Sequence, residues 1–261
     1  MRLTKRCIDL FHLLHAARWL TTRQVRTRFF PKATADAARK RLRKLVDGKY
    51  LVMYRENRMS EALFALGPEG KRMLEISGKE VTLERKPPAQ VLHLVGINDL
   101  RLSAELTGEI AYFFACWELP GVGWRYSVIP DAVFSTGGRT FALEFDRGVE
   151  SVRFFMKTKV EFYRKALEGF PLAAVLVIAD RKARMESLAR SIPNERGLFL
   201  FSTIDEVRKR GLLGPVFLRG TNEEPVSLFS GSLLRLSCRQ ESFLSSSGAE
   251  SRISPAGRQG S

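Results

Sequence analysis

The chain has 261 residues and carries 43 Lys or Arg against 28 Asp or Glu, a formal net charge of +15 with an isoelectric point near 10.2. That length suffices for two modest domains, and so much positive charge repels itself in a compact fold unless a polyanion offsets it, which makes nucleic acid the first partner to test. No apolar stretch reaches the roughly 18 to 20 residues that span a bilayer, and Cys7, Cys116 and Cys238 show no paired spacing, which argues against a membrane protein, a zinc knuckle or a disulfide framework and fits a reducing cytoplasm.

The first fifth of the chain holds most of the excess: residues 1–50 contain 14 Lys or Arg and only Asp9, Asp36 and Asp47. The opening MRLTKRCIDLFHLLHAARWL has basic residues before an apolar run. His12, His15 and Arg18 interrupt that run and no small-residue cleavage site follows, so it reads as a helix rather than a signal peptide. Its apolar face comprises Leu10, Phe11, Leu13, Leu14 and Leu20. Thr22 is placed as the cap of a short helix through RQVRTRFF, ended by Pro31.

Residues 34-TADAARKRLRKLVDG-48 carry Ala38, Leu42, Leu45 and Val46 at helical spacing, with Gly48 as a left-handed cap. Lys40, Arg43 and Lys44 point away from that stripe. YLVMYRENRMSEALFAL then reads as two short strands around a charged loop, and PEGKRML begins a helix with Pro68 in its first turn. Helix, helix, basic helix and hairpin is the order of a winged helix-turn-helix, whose third helix enters the major groove while the wing follows the backbone. Residues 1–77 are therefore expected to bind double-stranded DNA. Arg39, Lys40, Arg43 and Lys44 are the groove or phosphate candidates, and Arg55 and Arg58 belong to the wing.

The segment 78-GKEVTLERKPP-88 suits an exposed connection. Beyond it, residues 89–221 alternate: a helix through VLHLVGINDLRLSAELTG, a strand near YFFACWEL, hairpin arms YSVIPDAVF and TFALEFD, a helix from about 150 to 168, the strand AAVLVIAD, a helix RKARMESLARSI and a strand LFLFST. The order αβββαβαβ predicts a mixed sheet with helices on both faces. The fold class is thus α/β: an α+β winged helix followed by a three-layer α/β/α domain. From residue 222 the chain turns rich in Ser and Gly and reads as a disordered tail, 222–261.

Three carboxylates flank the Gly137-Gly138 doublet. If that doublet is a two-residue hairpin loop, Thr136 pairs with Arg139, Phe134 with Phe141 and Asp131 with Glu144. Opposed side chains share a face, so both acids project together, and Asp146 joins them two residues on. Like charges opposed in a sheet call for a cation, a proton or a basic side chain. As oxygen-only ligands, Asp131 and Glu144 would suit Mg²⁺ or Mn²⁺, which could polarise a phosphodiester. In the following helix Val152, Phe155, Met156, Tyr163 and Leu167 form one stripe with Lys159 in its middle, placed to approach the acids as neutraliser or phosphate clamp. The bland readings are a strand-end Asp131 and a turn at Asp146-Arg147-Gly148 closed by an internal ion pair. Glu105 reads as a solvated residue or a further ligand, His93 and Asn98 are candidates for orienting backbone or ligands, and for His93 the simpler reading is a satisfied core residue.

IPDAVF followed by ALEF resembles the PD-(D/E)xK nuclease motif at Pro130, Asp131 and Glu144, with Asp146 at the motif's lysine position and Lys159 as a migrated counterpart. More narrowly, HLVGINDLRLSAEL, IPDAVF and LEFDRGVES, with Lys159 and Tyr163 after them, resemble the replication-relaxation family of plasmid and mobile-element proteins over roughly residues 5–215. That likeness implies a winged helix ahead of a restriction-endonuclease-like domain, and DNA binding in replication, transfer or maintenance of a mobile element. The expected partners are double-stranded DNA, a second copy in a homodimer, and replication or mobilisation proteins, with no membrane. Two other readings stay open: a Mg²⁺-dependent endonuclease using Asp131, Glu144, Asp146 and Lys159, and a winged-helix transcriptional regulator with a ligand-sensing second domain.

Overall fold

A computed structural model describes residues 2–166, 172–192, 198–220 and 224–229. Its amino-terminal part follows the predicted order: α1 Lys5–Ala17, β1 Leu20–Thr21, α2 Thr22–Phe29, α3 Ala35–Asp47, β2 Leu51–Tyr54, β3 Leu63–Leu66 and α4 Pro68–Ile76. Leu10, Phe11, Leu14, Leu42 and Leu45 bury one apolar core between the helices and the sheet.

Three local expectations shift. The cap of α2 is Thr21, one residue before the expected Thr22; its hydroxyl accepts the Gln24 N–H while the Gln24 side chain accepts the Thr21 N–H, a reciprocal capping box. Leu20 leaves the helical stripe for β1, since Arg18 turns the chain at φ 64°; β1 then joins the hairpin in the order β1-β3-β2. Gly48 does not take the left-handed conformation. Lys49 does, at φ 59°, and the Lys49 and Tyr50 N–H groups close on the Val46 and Leu45 carbonyls at 2.9 Å each, the Schellman pattern.

The predicted connection is mostly exposed, but Val81 enters the amino-terminal core and Glu84 forms a two-pronged ion pair with Arg18. Then come α5 Val91–Glu105, β4 Ile110–Ala115, β5 Ala132–Thr136, β6 Arg139–Asp146, α6 Val152–Phe155, a π-helical turn Met156–Val160, α7 Glu161–Ala166, β7 Leu172–Ala179, α8 Lys182–Ser191, β8 Phe199–Thr203 and α9 Ile204–Arg210. The sheet runs β4-β5-β6-β7-β8, antiparallel up to β6 and parallel beyond. α5 and α9 cover one face through Ile97, Leu100 and Val207, and the α6–α8 side covers the other through Phe155, Tyr163, Met185 and Leu188. The class is α/β.

The glycine doublet acts as read. Gly137 and Gly138 have φ of 55° and 72°, the left-handed pair a type I′ turn requires, and the register runs from Thr136↔Arg139 to Ala132↔Leu143. The arm expected from Tyr126 is shorter, with strand pairing beginning at Ala132. Part of the expected tail is ordered: Val226 bridges Phe217 and Leu228 is buried in the sheet's core, two alternating apolar residues that the Ser-rich composition conceals. Cys238 and the rest of that tail, like Leu167, lie outside the described residues.

The two parts interlock through α5, whose Leu102 joins the amino-terminal core while Ile97, Leu100 and Ala104 join that of the sheet. Asn98, fully buried, donates to the Ala17 and Trp19 carbonyls at 2.9 and 2.8 Å, a structural role rather than a ligand-orienting one. Asp99 accepts from Arg23, Gln24 and Arg208, tying α2 to α9 across α5. Gly96 allows the close approach: a β-carbon there would stand 2.0 Å from the Phe145 ring.

Candidate functional site

The parallel strands β6 and β7 end at Asp146 and Ala179, and Asp131, just ahead of the antiparallel β5, stands at the same edge of the sheet. In an α/β sheet this edge is the usual place for a site. The register that pairs Ala132 with Leu143 sets Asp131 opposite Glu144. Asp131 Oδ2 accepts the Phe145 N–H at 2.8 Å, so its backbone neighbour across the ladder fixes its rotamer.

Above the pair, the helix crossing from β6 to β7 widens into the π turn, where the Glu161 N–H reaches back to the Met156 carbonyl. Such turns are rare and often mark functional sites. With the extra residue absorbed, positions four apart fall into line, and Phe155, Lys159 and Tyr163 make one row facing the sheet. Lys159 Nζ lies 3.0 Å from Glu144 Oε2 and also donates to the Ile129 carbonyl at 3.1 Å. The Tyr163 hydroxyl donates to Glu144 Oε1 at 2.6 Å.

Glu144 is 2% exposed. Burial first, and the neighbouring Asp131 charge second, lift its carboxyl to about 7 despite Lys159 and Tyr163. Burial alone would depress the Lys159 ammonium, but Glu144 and Asp131 outweigh it and the net shift is upward. From the α5 side, His93 Nε2 sits 3.1 Å from Asp131 Oδ1 and its ring stacks on Phe145. Burial opposes its protonation, yet the bond to Asp131 and the nearby acids raise its pKa. Cys116 borders the site, and burial and Asp131 push its thiol up to about 11, which leaves it a poor nucleophile.

Asp146 is not available as an auxiliary acid. Arg184 of α8 grips it with two bonds of 2.9 and 2.8 Å, and its Oδ1 accepts the Gly148 N–H at 2.6 Å. The expected internal pair with Arg147 is replaced by this partner 38 residues away. Glu105 lies at the far end of α5, twelve residues and so about 18 Å along the axis from His93, where it meets Arg101.

All four oxygens of Asp131 and Glu144 face a donor, namely His93, the Phe145 amide, Tyr163 or Lys159, so a Mg²⁺ held by these two carboxylates would share oxygens with those donors or displace Lys159. Among the described residues no group of three or more His, Cys, Asp or Glu is arranged to hold a metal. The contact of His93 with Asp131 and that of Arg184 with Asp146 are not foreseeable from the sequence, because each partner is supplied by a distant helix; His93 stands out there only as a histidine in the first turn of a helix leading to the sheet.

In the amino-terminal part, Arg39, Lys40, Arg43 and Lys44 of α3 and Arg55 and Arg58 of the β2–β3 hairpin are all exposed. Arg39, Arg43 and Arg55 line one groove of about 450 Å³ between helix and hairpin, floored by Leu42, Val46 and Phe64.

A family model described as Replication-relaxation matches residues 11–170, more than half of the chain. The chain belongs to the replication-relaxation family. The match runs from within α1 through α7 and so includes both the basic groove and every member of the Asp131–Glu144 cluster. Membership implies a role in plasmid or mobile-element replication or transfer. No curated protein and no solved structure matches this replication-relaxation protein. No helix among its described residues is long and apolar enough to cross a membrane.

Proposed function

We propose that this replication-relaxation protein binds duplex DNA through its amino-terminal part, a winged helix-turn-helix in which α3 enters the major groove and the β2–β3 hairpin is the wing. The observation that carries this reading is the convergence of Arg39 and Arg43 from one element and Arg55 from another on a single groove, with Lys40, Lys44 and Arg58 exposed around it. A lone charged helix face is commonly just solvated. Cations drawn from two elements onto one concave surface match a phosphate backbone better than they match water.

In the same reading the carboxylate cluster of the second, nuclease-like part is a buried ionic lock rather than a metal centre. The PD-(D/E)xK likeness at Pro130, Asp131 and Glu144 supports a shared ancestry of the sheet. Lys159 supplies the positive charge in place of a divalent ion, and Asp146 is held by Arg184. The Mg²⁺-dependent endonuclease is accordingly the weaker reading, and the ligand-sensing regulator has a charged cluster where it needs an apolar pocket.

Fluorescence anisotropy of a labelled duplex over a salt series tests the main reading. Affinity should fall steeply as salt rises. Arg39→Ala with Arg43→Ala should weaken binding and reduce the slope by about one for each phosphate contact removed. Binding indifferent to salt, or to both substitutions, would defeat it.

A further inference from the structure

The helix that carries Lys159 and Tyr163 inward carries a different set outward. Phe154 and Phe162 are 49% and 44% exposed, an unusual place for two phenyl rings on one short helix. Thr158 stands between them with its hydroxyl donating to the Phe154 carbonyl at 2.8 Å. The π turn that aligns Phe155, Lys159 and Tyr163 also aligns Phe154, Thr158 and Phe162, one row over, with the rings about 12 Å apart along the axis. The next row holds Arg153, Lys157, Glu161 and Lys165, all exposed. Among the described residues, Arg153, Lys157 and Lys165 take part in no ion pair.

We propose that this α6–α7 face is a second nucleic-acid contact that takes single-stranded DNA, with bases stacked on Phe154 and Phe162 and phosphates against Arg153, Lys157 and Lys165. Exposed aromatic rings beside a file of cations are what unpaired bases need and what a duplex, its bases already stacked, cannot use. Charge complementarity excludes an acid-poor apolar partner as the better occupant: three free cations against the single Glu161 favour a polyanion. The contact is separate from the duplex groove formed by α3 and the hairpin.

The experiment uses the full chain and fluorescein-labelled oligo(dT), with the duplex run in parallel. Phe154→Ala with Phe162→Ala should weaken oligo(dT) binding about tenfold or more, given typical base–aromatic stacking, and leave duplex binding unchanged. Lys157→Glu with Lys165→Glu should weaken oligo(dT) binding and flatten its salt dependence. Phe154→Trp should retain binding and show quenching of the new indole on titration. Arg39→Ala with Arg43→Ala should do the converse, losing duplex and keeping oligo(dT), so failure of one contact is distinct from failure of the other. Unchanged oligo(dT) affinity in the double alanine variant, or no oligo(dT) binding by the parent protein, would overturn the proposal. So would a change in molecular mass by light scattering in that variant, which would assign the face to a second copy of the chain.

Discussion

Lys159 Nζ sits 3.0 Å from a Glu144 carboxylate that is 2% exposed, so this cation directly offsets the charge of a buried acid. Removing one partner of such a pair leaves the other stranded, which costs far more than removing both. Lys159→Met should therefore lower stability by about 3–5 kcal/mol in denaturant melts. Lys159→Met with Glu144→Met should recover most of that loss. A harmless single substitution would show that Lys159 is ornamental.

The cluster also sets a pH dependence. The Glu144 carboxyl is raised to about 7 from 4.5, so the folded state holds a proton there that the unfolded chain has released, and its contribution to stability is present below about 4.5 and lost as pH climbs through about 7. His93 is raised as well and acts in the same direction, its contribution fading as pH rises past its elevated pKa. Together they should lower the melting temperature between mildly acidic and mildly alkaline buffer. Glu144→Gln should flatten most of that decline, worth at most on the order of 3 kcal/mol. A parent protein that gains stability across this range would contradict the assignment.

Divalent metal supplies a third check. Because every oxygen of Asp131 and Glu144 has a donor, millimolar Mg²⁺ or Mn²⁺ should leave the melting temperature unchanged, and EDTA should do nothing. The Lys159→Met variant, stripped of its internal cation, should respond to Mn²⁺ with a rise. Metal stabilisation of the parent protein would instead restore the endonuclease reading.

Asp99 is the point where α2, α5 and α9 meet. Its side chain, 4% exposed, accepts from Arg23, Gln24 and Arg208. Asp99→Ala leaves the buried Gln24 amide short of a partner at a cost of about 1–3 kcal/mol, while the two arginines can turn to water. Hydrogen exchange should quicken in α2 and α5 together. Acceleration confined to α5 would mean that the node does not couple the two parts.

How legible all this was in the sequence depended on range. The Gly137-Gly138 turn fixes the register locally, so the opposition of Asp131 and Glu144 could be read directly, and the stripe of the next helix foretold which side Lys159 would take. The partners of Asp131 and Asp146 could not: His93 and Arg184 arrive from helices docked on opposite faces of the sheet, 38 residues away in each case by position along the chain. The same applies to β1, two residues long and visible only once β3 lies beside it, and to Asp99, whose donors span Arg23 to Arg208. Local spacing announces turns and stripes; which distant cation finds which acid is decided by packing.

Because Leu102 of α5 serves one hydrophobic cluster and Ile97, Leu100 and Ala104 the other, neither half owns that helix. Severing the polypeptide at the Pro87-Pro88 pair would deprive the front fragment of a wall and bare an oily strip on the back one. Heat should accordingly melt the intact molecule in a single cooperative transition, and each isolated fragment should be prone to aggregate.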